Sequence, residues 1–247
     1  MIQVIRSDER HHLDAGWLST YWHFSFDDYY DPDNISFGPL RVFNDDVIQP
    51  SGGFPMHPHR EMEIVTYVID GALKHRDDMG NEGVIRPGEV QRMSAGTGVR
   101  HSELNPSKID PVHLIQLWIQ PAVKGISPSW EQKSYSEEKR IGQLLPIAVP
   151  AGKNSNGAVS IQQDATIYTS LLEPGQGVTH SLRSGRRAYI FVIDGKLNVN
   201  GSPRTFSANG QTLGKGDQAR ISAESELKLA AADAKTAVDF LLLDLPH

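Results

Sequence analysis

The sequence predicts an all-β protein, a sandwich or barrel, made of two related halves. Three observations lead there. Short β-branched and aromatic runs recur along the chain, 22 Gly and 15 Pro are scattered between them as turn signals, and one block of sequence occurs twice. Of the 247 residues, 38% are apolar, enough to build a core at this length.

In chain order, the first expected strands are 40–43 (LRVF), 64–69 (IVTYVI) and 112–120 (VHLIQLWIQ), rich in residues that suit a half-buried pleated surface. Residues 121–130 (PAVKGISPSW), with two prolines and a glycine, read as a linker. Beyond it come 158–162, 167–172, 189–193 (YIFVI), 196–199 and 237–243 (AVDFLLL). Segments 131–140 and 222–235 carry more Glu, Lys and Ala and are expected to hold short helices.

The repeat organises these strands. Gly53–Gly71 reads GFPMHPHREMEIVTYVIDG, and Gly177–Gly195 reads GVTHSLRSGRRAYIFVIDG; both span nineteen residues and end in VIDG. A second pair, Pro87–Ala95 (PGEVQRMSA) and Lys215–Ala223 (KGDQARISA), follows in the same order. Two collinear blocks on either side of a linker predict a duplicated domain, 1–130 and 131–247, each of ordinary domain size.

Composition excludes several function classes. The charge balance of 24 basic to 30 acidic residues, net −6, speaks against a nucleic-acid footprint. The absence of cysteine removes disulfides, thiolate metal sites, iron–sulfur ligation and cysteine nucleophiles. The N-terminal MIQVIRSDERHHLDAG lacks the apolar core of a signal peptide. No stretch reaches the ~18–20 apolar residues that span a bilayer. A cytoplasmic protein without a membrane partner is expected. Ten histidines remain, so any metal must be held by nitrogen and oxygen.

His57-Pro58-His59 places two imidazoles at i and i+2, on one face of a strand. GTGVRHSELN adds His101 and Glu103 with the same spacing. Brought together, they make three imidazoles and one carboxylate around a point. That donor set suits Fe, Ni, Cu, Mn or Zn rather than Ca or Mg, and leaves two positions of an octahedral metal open. In the second copy, positions 57 and 59 become Ser181 and Arg183, and a gap-free extension puts Leu229 opposite His101 and Ala231 opposite Glu103. The repeat keeps its glycines and strand and loses every candidate ligand, so the site belongs to the first half.

Glu63 is a rival ligand, four residues past His59. An unbroken strand would carry it ~13 Å away, so it can join only across a bend or bulge. Spacing leaves both Glu63 and Glu103 open. His75, in GALKHRDD, is read as a surface residue in preference to a partner behind the ligands. His11, His12, His113, His180 and His247 are read as structural or solvated.

At these residues the sequence resembles the pirin family, a branch of the cupin superfamily. The matching stretches are GWLSTYWHFSF, DYYDPDNISFGPLRVFNDD, GGFPMHPHREMEIVTYVIDG and HRDDMGNEGVIRPGEVQRMSAGTGVRHSELNP, across residues 16–120. The second half matches more weakly, through GVTHS and VIDG. The resemblance implies a bicupin of two antiparallel β-barrel (jelly-roll) domains with short helices, the metal lying in the N-terminal one. It puts the family's ligands on His57, His59, His101 and Glu103, deciding for Glu103 over Glu63. It implies one mononuclear divalent metal, Fe(II) first, with Ni, Cu, Mn, Co or Zn compatible. The activity implied is that of a quercetin 2,3-dioxygenase, opening a flavonol-like aromatic substrate with O2 and releasing CO, Glu103 being the catalytic base. Phe54, Met56 and Met93 are expected as apolar walls, and Arg92-Met93 replaces a Trp-Met pair found in many relatives. The alternative implied by eukaryotic relatives is a non-enzymatic, iron-dependent redox sensor or regulatory protein. A storage cupin with a vestigial site is disfavoured by the complete ligand set.

Overall fold

The computed structural model describes residues 1–153, 157–200 and 210–247. Its strands are β1 (Ile2–Ile5), β2 (His11–Asp14), β3 (Leu18–Trp22), β4 (Leu40–Ile48), β5 (Gly53–His59), β6 (Glu63–Asp70), β7 (Leu73–Asp77), β8 (Glu82–Ile85), β9 (Glu89–Ser94), β10 (Val99–Leu104), β11 (Val112–Ile119) and β12 (Ser129–Ser134). There follow β13 (Leu145–Pro150), β14 (Val159–Ile161), β15 (Thr166–Leu172), β16 (Gly177–Ser181), β17 (Arg186–Asp194), β18 (Lys196–Val199), β19 (Gln211–Gly214), β20 (Gln218–Ser222), β21 (Glu226–Ala231) and β22 (Val238–Pro246). Among the described residues the only helices are two 3-10 turns, Ser7–Glu9 and Glu137–Arg140, and none is long and apolar enough to cross a membrane.

The all-β expectation holds; of the two expected short helices, the one within 131–140 is a single 3-10 turn and the one within 222–235 is a correction. Residues 131–140 divide between β12 and a single 3-10 turn. Residues 222–235 contain β21, in which Leu227, Leu229 and Ala231 point inward while Glu226 and Lys228 face solvent. That period of two overrides the helix preference of Lys, Glu and Ala. The expected linker is loop up to residue 128, where β12 begins at Ser129.

The chain divides into two compact units, one of residues 11–135 and 150–164, the other of residues 1–10, 136–149 and 165–247. In place of one cut near residue 130, short segments from beyond the cut belong to each unit. In the first unit a small sheet, β5-β10-β7-β8, faces a large one, β12-β9-β6-β11-β4-β3-β2. In the second unit the corresponding strands run β16-β21-β18-β19 and β1-β20-β17-β22-β15-β13. The repeated blocks therefore fall on equivalent strands, β5–β6 with β16–β17 and β9 with β20. The glycine closing each VIDG has φ of +79°, and a Cβ there would stand 2.5 Å from Pro111 O in one copy and 2.2 Å from Ala237 O in the other. Only glycine fits that turn, which accounts for its presence in both copies.

The two interiors differ. In the second unit Ile190, Val192, Leu197, Leu227, Leu229 and Leu242 join one continuous apolar cluster. In the first, the apolar interior is split. Leu18, Ile48, Val68, Leu73, Ile85, Val112 and Leu114 form one cluster, and Ile64, Met93, Ala95 and Val99 form another. Between them Gln91, Thr66, Gln116 and Asn44 stand in register across β9, β6, β11 and β4, a polar row on the inner face of the large sheet. The small sheet supplies what that row faces.

Candidate metal centre

β10 is flanked by β5 on one side and β7 on the other. His101 pairs with His57 and with Asp77; Glu103 pairs with Phe54 and with His75. The register slips between His101 and Glu103, so a bulge on β5 takes up Pro55 and Met56. β5 tolerates Pro55 and Pro58 because it is the edge of its sheet, where a missing N–H costs no ladder bond. Gly53 lets β5 close on β10: its φ is +146°, and a Cβ would meet Glu103 O at 2.3 Å and Leu104 Cα at 2.6 Å. Gly53→Ala is expected to cost about 1–3 kcal/mol through backbone strain, read as a lowered thermal midpoint. An unchanged midpoint would show that β5 does not need this close approach.

The structure brings His57, His59 and His101 together, with ligand atoms within 4.8 Å of one another. Their ring centroids lie 4.4–4.8 Å apart. His57 Nδ1 bonds Pro55 O at 2.7 Å; a carbonyl only accepts, so Nδ1 is the donor and Nε2 is the nitrogen left for a ligand. Trp118 sets its ring edge-on to His59 at 4.8 Å. His101 is buried, and its Nε2 has no hydrogen-bond partner. Burial first, and the neighbouring imidazoles second, depress His59 and His101 to about 3. Both rings are thus neutral at pH 7, the state in which imidazole nitrogen binds a metal. An open depression of about 480 Å³, lined in part by Pro58, Arg60, Val99 and Arg100, borders His59.

Glu103 groups with His101 and His75 rather than with all three clustered imidazoles. It is buried, and the polar row holds its carboxylate: Gln116 Nε2 donates to one oxygen at 2.7 Å, and Thr66 Oγ1 to the other at 3.4 Å. Glu63 is elsewhere. It stands three residues from Thr66 on β6, hence on the opposite face, where it accepts from Ser94 Oγ at 2.8 Å and Gln162 N at 3.1 Å. Burial raises the pKa of that carboxyl.

His75 is a correction. It was expected at the surface and is fully buried beside His101, with 3.4 Å between their Nδ1 atoms. Of the expected walls, Met56 is exposed at the bulge, Phe54 packs into an apolar cluster, and Met93 is buried behind Trp118. Arg92 points to the outer face, bonding Ser129 Oγ at 2.7 Å and Glu131 at 3.1 Å, so its exchange for Trp does not alter the pocket wall. His113 bonds Asp45, His180 bonds Asp244, and His11 and His12 stack on Trp22 and Tyr21, all structural roles.

Sequence reasoning missed Thr66, Gln116, Trp118 and Asp77. Two of them carried a signal: His75 and Asp77 repeat the i, i+2 spacing of the ligand pairs, and Gln116 interrupts an apolar strand. In the second unit Ser181 and Arg183 are exposed and Leu229 is core. Among the described residues both groups able to hold a metal ion lie within residues 57–103.

The family model Pirin matches residues 4–119, and a model described as the quercetinase C-terminal cupin domain matches residues 147–245. A protein named quercetin 2,3-dioxygenase from Escherichia coli (strain K12) is 38% identical over 246 residues, 100% of this chain and 99% of its own length. A pirin-like protein from Caulobacter vibrioides is 39% identical over 221 residues, 90% of this chain and 94% of its own. The crystal structure of the bacterial pirin YhhW from Escherichia coli in complex with nickel(II) superimposes with a TM-score of 0.88 at 36% identity, covering 100% of this chain and 99% of that one.

Proposed function

This chain belongs to the pirin family of bicupin proteins, and from that premise we propose that it is a metal-dependent dioxygenase opening the ring of quercetin or a related flavonol with O2 and releasing CO. The observation that carries the proposal is the convergence of three imidazoles with a buried, partnerless His101 Nε2. A buried polar atom without a partner calls for a ligand, and three imidazoles beside a carboxylate suit a divalent transition metal. His57, His59, His101 and Glu103 would hold that metal, with Fe(II) first and nickel, seen with the Escherichia coli pirin, among the alternatives. When bound, the metal supplies Lewis-acid and one-electron redox chemistry towards a hydroxylated aromatic substrate and dioxygen.

The remaining work falls to the chain. Glu103 takes the flavonol 3-hydroxyl proton on a carboxylate oxygen, and Gln116 and Thr66 keep that carboxylate aimed. Trp118 and the apolar cluster of Ile64, Met93 and Val99 exclude water from one side of the imidazoles. Pro55 O fixes the tautomer of His57 at the bulge.

The test is oxygen uptake with quercetin by protein loaded anaerobically with Fe(II) or Ni(II), with CO measured in the head space. One equivalent of metal per chain and stoichiometric CO are expected. Protein that retains neither metal overturns the centre. Metal retained without turnover of quercetin or other flavonols overturns the dioxygenase and favours the non-enzymatic sensor.

A further inference from the structure

Behind His101 lies a second buried imidazole, and the proton positions of the pair can be deduced. The Nδ1 atoms of His101 and His75 are 3.4 Å apart in a site that excludes water. Two lone pairs or two N–H groups facing each other would repel, so one ring donates and the other accepts. His101 Nε2 is the atom facing away from His75, buried and partnerless. If it carries the lone pair, the His101 proton sits on Nδ1 and His75 accepts it. The proton of His75 must then be on Nε2, which makes no hydrogen bond and lies 3.7 Å from Asp77 Oδ2, a charge contact rather than a bond.

Asp77 is built to stay there. Its Oδ1 accepts from the backbone N–H groups of Met79 at 3.1 Å and Asn81 at 2.8 Å, and its Oδ2 accepts from Asn81 Nδ2 at 2.8 Å. Trp130 lies over His75 with centroids 6.0 Å apart, in space opened by Gly83, where a Cβ would stand 2.8 Å from the indole ring. The His75 ring is confined on its face by Trp130 and along its edge by His101 and Asp77. A histidine that only filled core would need neither the matched nitrogen pair nor the anchored carboxylate.

We propose that His75 is a positioning residue: it accepts the His101 Nδ1 proton, with Asp77 behind it, and so fixes the tautomer and angle that present His101 Nε2 to the metal. The inference rests on the metal reading of His57, His59 and His101. Partners of this kind, behind a ligating histidine, are worth about 10–100-fold in metal affinity.

The experiment uses the full chain with Co(II) as the probe metal, affinity measured by competition with a chelator. Its visible spectrum reports the ligand set, and proton NMR detects the hyperfine-shifted ligand N–H. His75→Leu removes the acceptor. It is expected to weaken Co(II) binding about 10–100-fold and to speed solvent exchange of one hyperfine-shifted N–H, with the number of coordinated imidazoles unchanged. His75→Asn places a carbonyl oxygen where Nδ1 was and is expected to restore most of the affinity and the slow exchange. Unchanged affinity and exchange in His75→Leu would overturn the proposal. So would loss of a coordinated imidazole in both variants, which would make His75 itself a ligand, or two Co(II) bound per chain, which would make His75, His101 and Glu103 a second site. A wild-type chain that takes up no Co(II) overturns the metal reading and this inference together. Wild-type binding with no effect of His75 overturns this inference alone.

Discussion

Replacing Glu103 by alanine is expected to lower oxygen uptake and CO release with quercetin by at least about 100-fold, the lower end of what a positioned general base contributes. Glu103 is the one acid within the two groups of described residues able to hold a metal ion, and two uncharged donors, Gln116 and Thr66, hold it in place. Glu103→Gln separates its two roles, because the amide keeps the size and cannot take the proton. Turnover lost with the metal retained identifies the base; turnover and metal lost together identify a ligand. Either variant at the wild-type rate would sink the assignment. Glu63→Gln is the control. Its side chain lies on the far face of β6, so metal content and rate are expected to stay put. Stability is expected to drop by about 1–3 kcal/mol, the usual cost of disturbing a buried hydrogen-bonded group.

Asp46→Asn is expected to change how stability depends on pH. Asp46 is buried between Thr20 and Leu114 in the register of β3, β4 and β11, and one of its oxygens has no partner. Burial pushes its carboxyl from an ordinary 3.8 up to about 7; Asp45 and Glu103 push the same way, against Thr20 and His113. Between those two values the folded chain holds a proton that the unfolded chain has released. Stability therefore falls as pH rises from about 4 to about 7 and levels off above. Asparagine carries no charge and removes this term. Relative to wild type, the variant should gain about 2–3 kcal/mol between pH 5 and pH 8, in urea unfolding of chelator-treated protein. Metal-free protein is specified because a cation at Glu103 would offset the repulsion. The same difference between the two proteins at both pH values would show that Asp46 is ionised throughout.

How far the sequence could be read depended on which contacts were local. The i, i+2 pairs His57/His59 and His101/Glu103 needed only strand parity, and the duplication needed only alignment. Glu63 could not be judged locally. Its face is decided by the register of β6 against β9 and β11, a contact between residues far apart in the chain. His75 looked like a surface residue because Lys74 and Arg76 flank it, yet alternation in β7 sends those two outward and His75 in. Residues 222–235 misled for the opposite reason. Their Ala, Lys and Glu favour helix, and only pairing of β21 with β16 and β18 makes them a strand.

The ownership of β1 bears on how the protein can be dissected. Ile2–Ile5 pair with Gln218–Ile221 at the rim of the large sheet of the second unit, and Arg6 clamps Asp217 at 2.7 Å. A fragment starting at residue 131 would carry a bare strand edge at β20, an invitation to pair with neighbouring chains. Cutting the gene once cannot yield two sound products. Trimming or masking the first six residues would first loosen the half that, among the described residues, contributes none to the candidate metal centre.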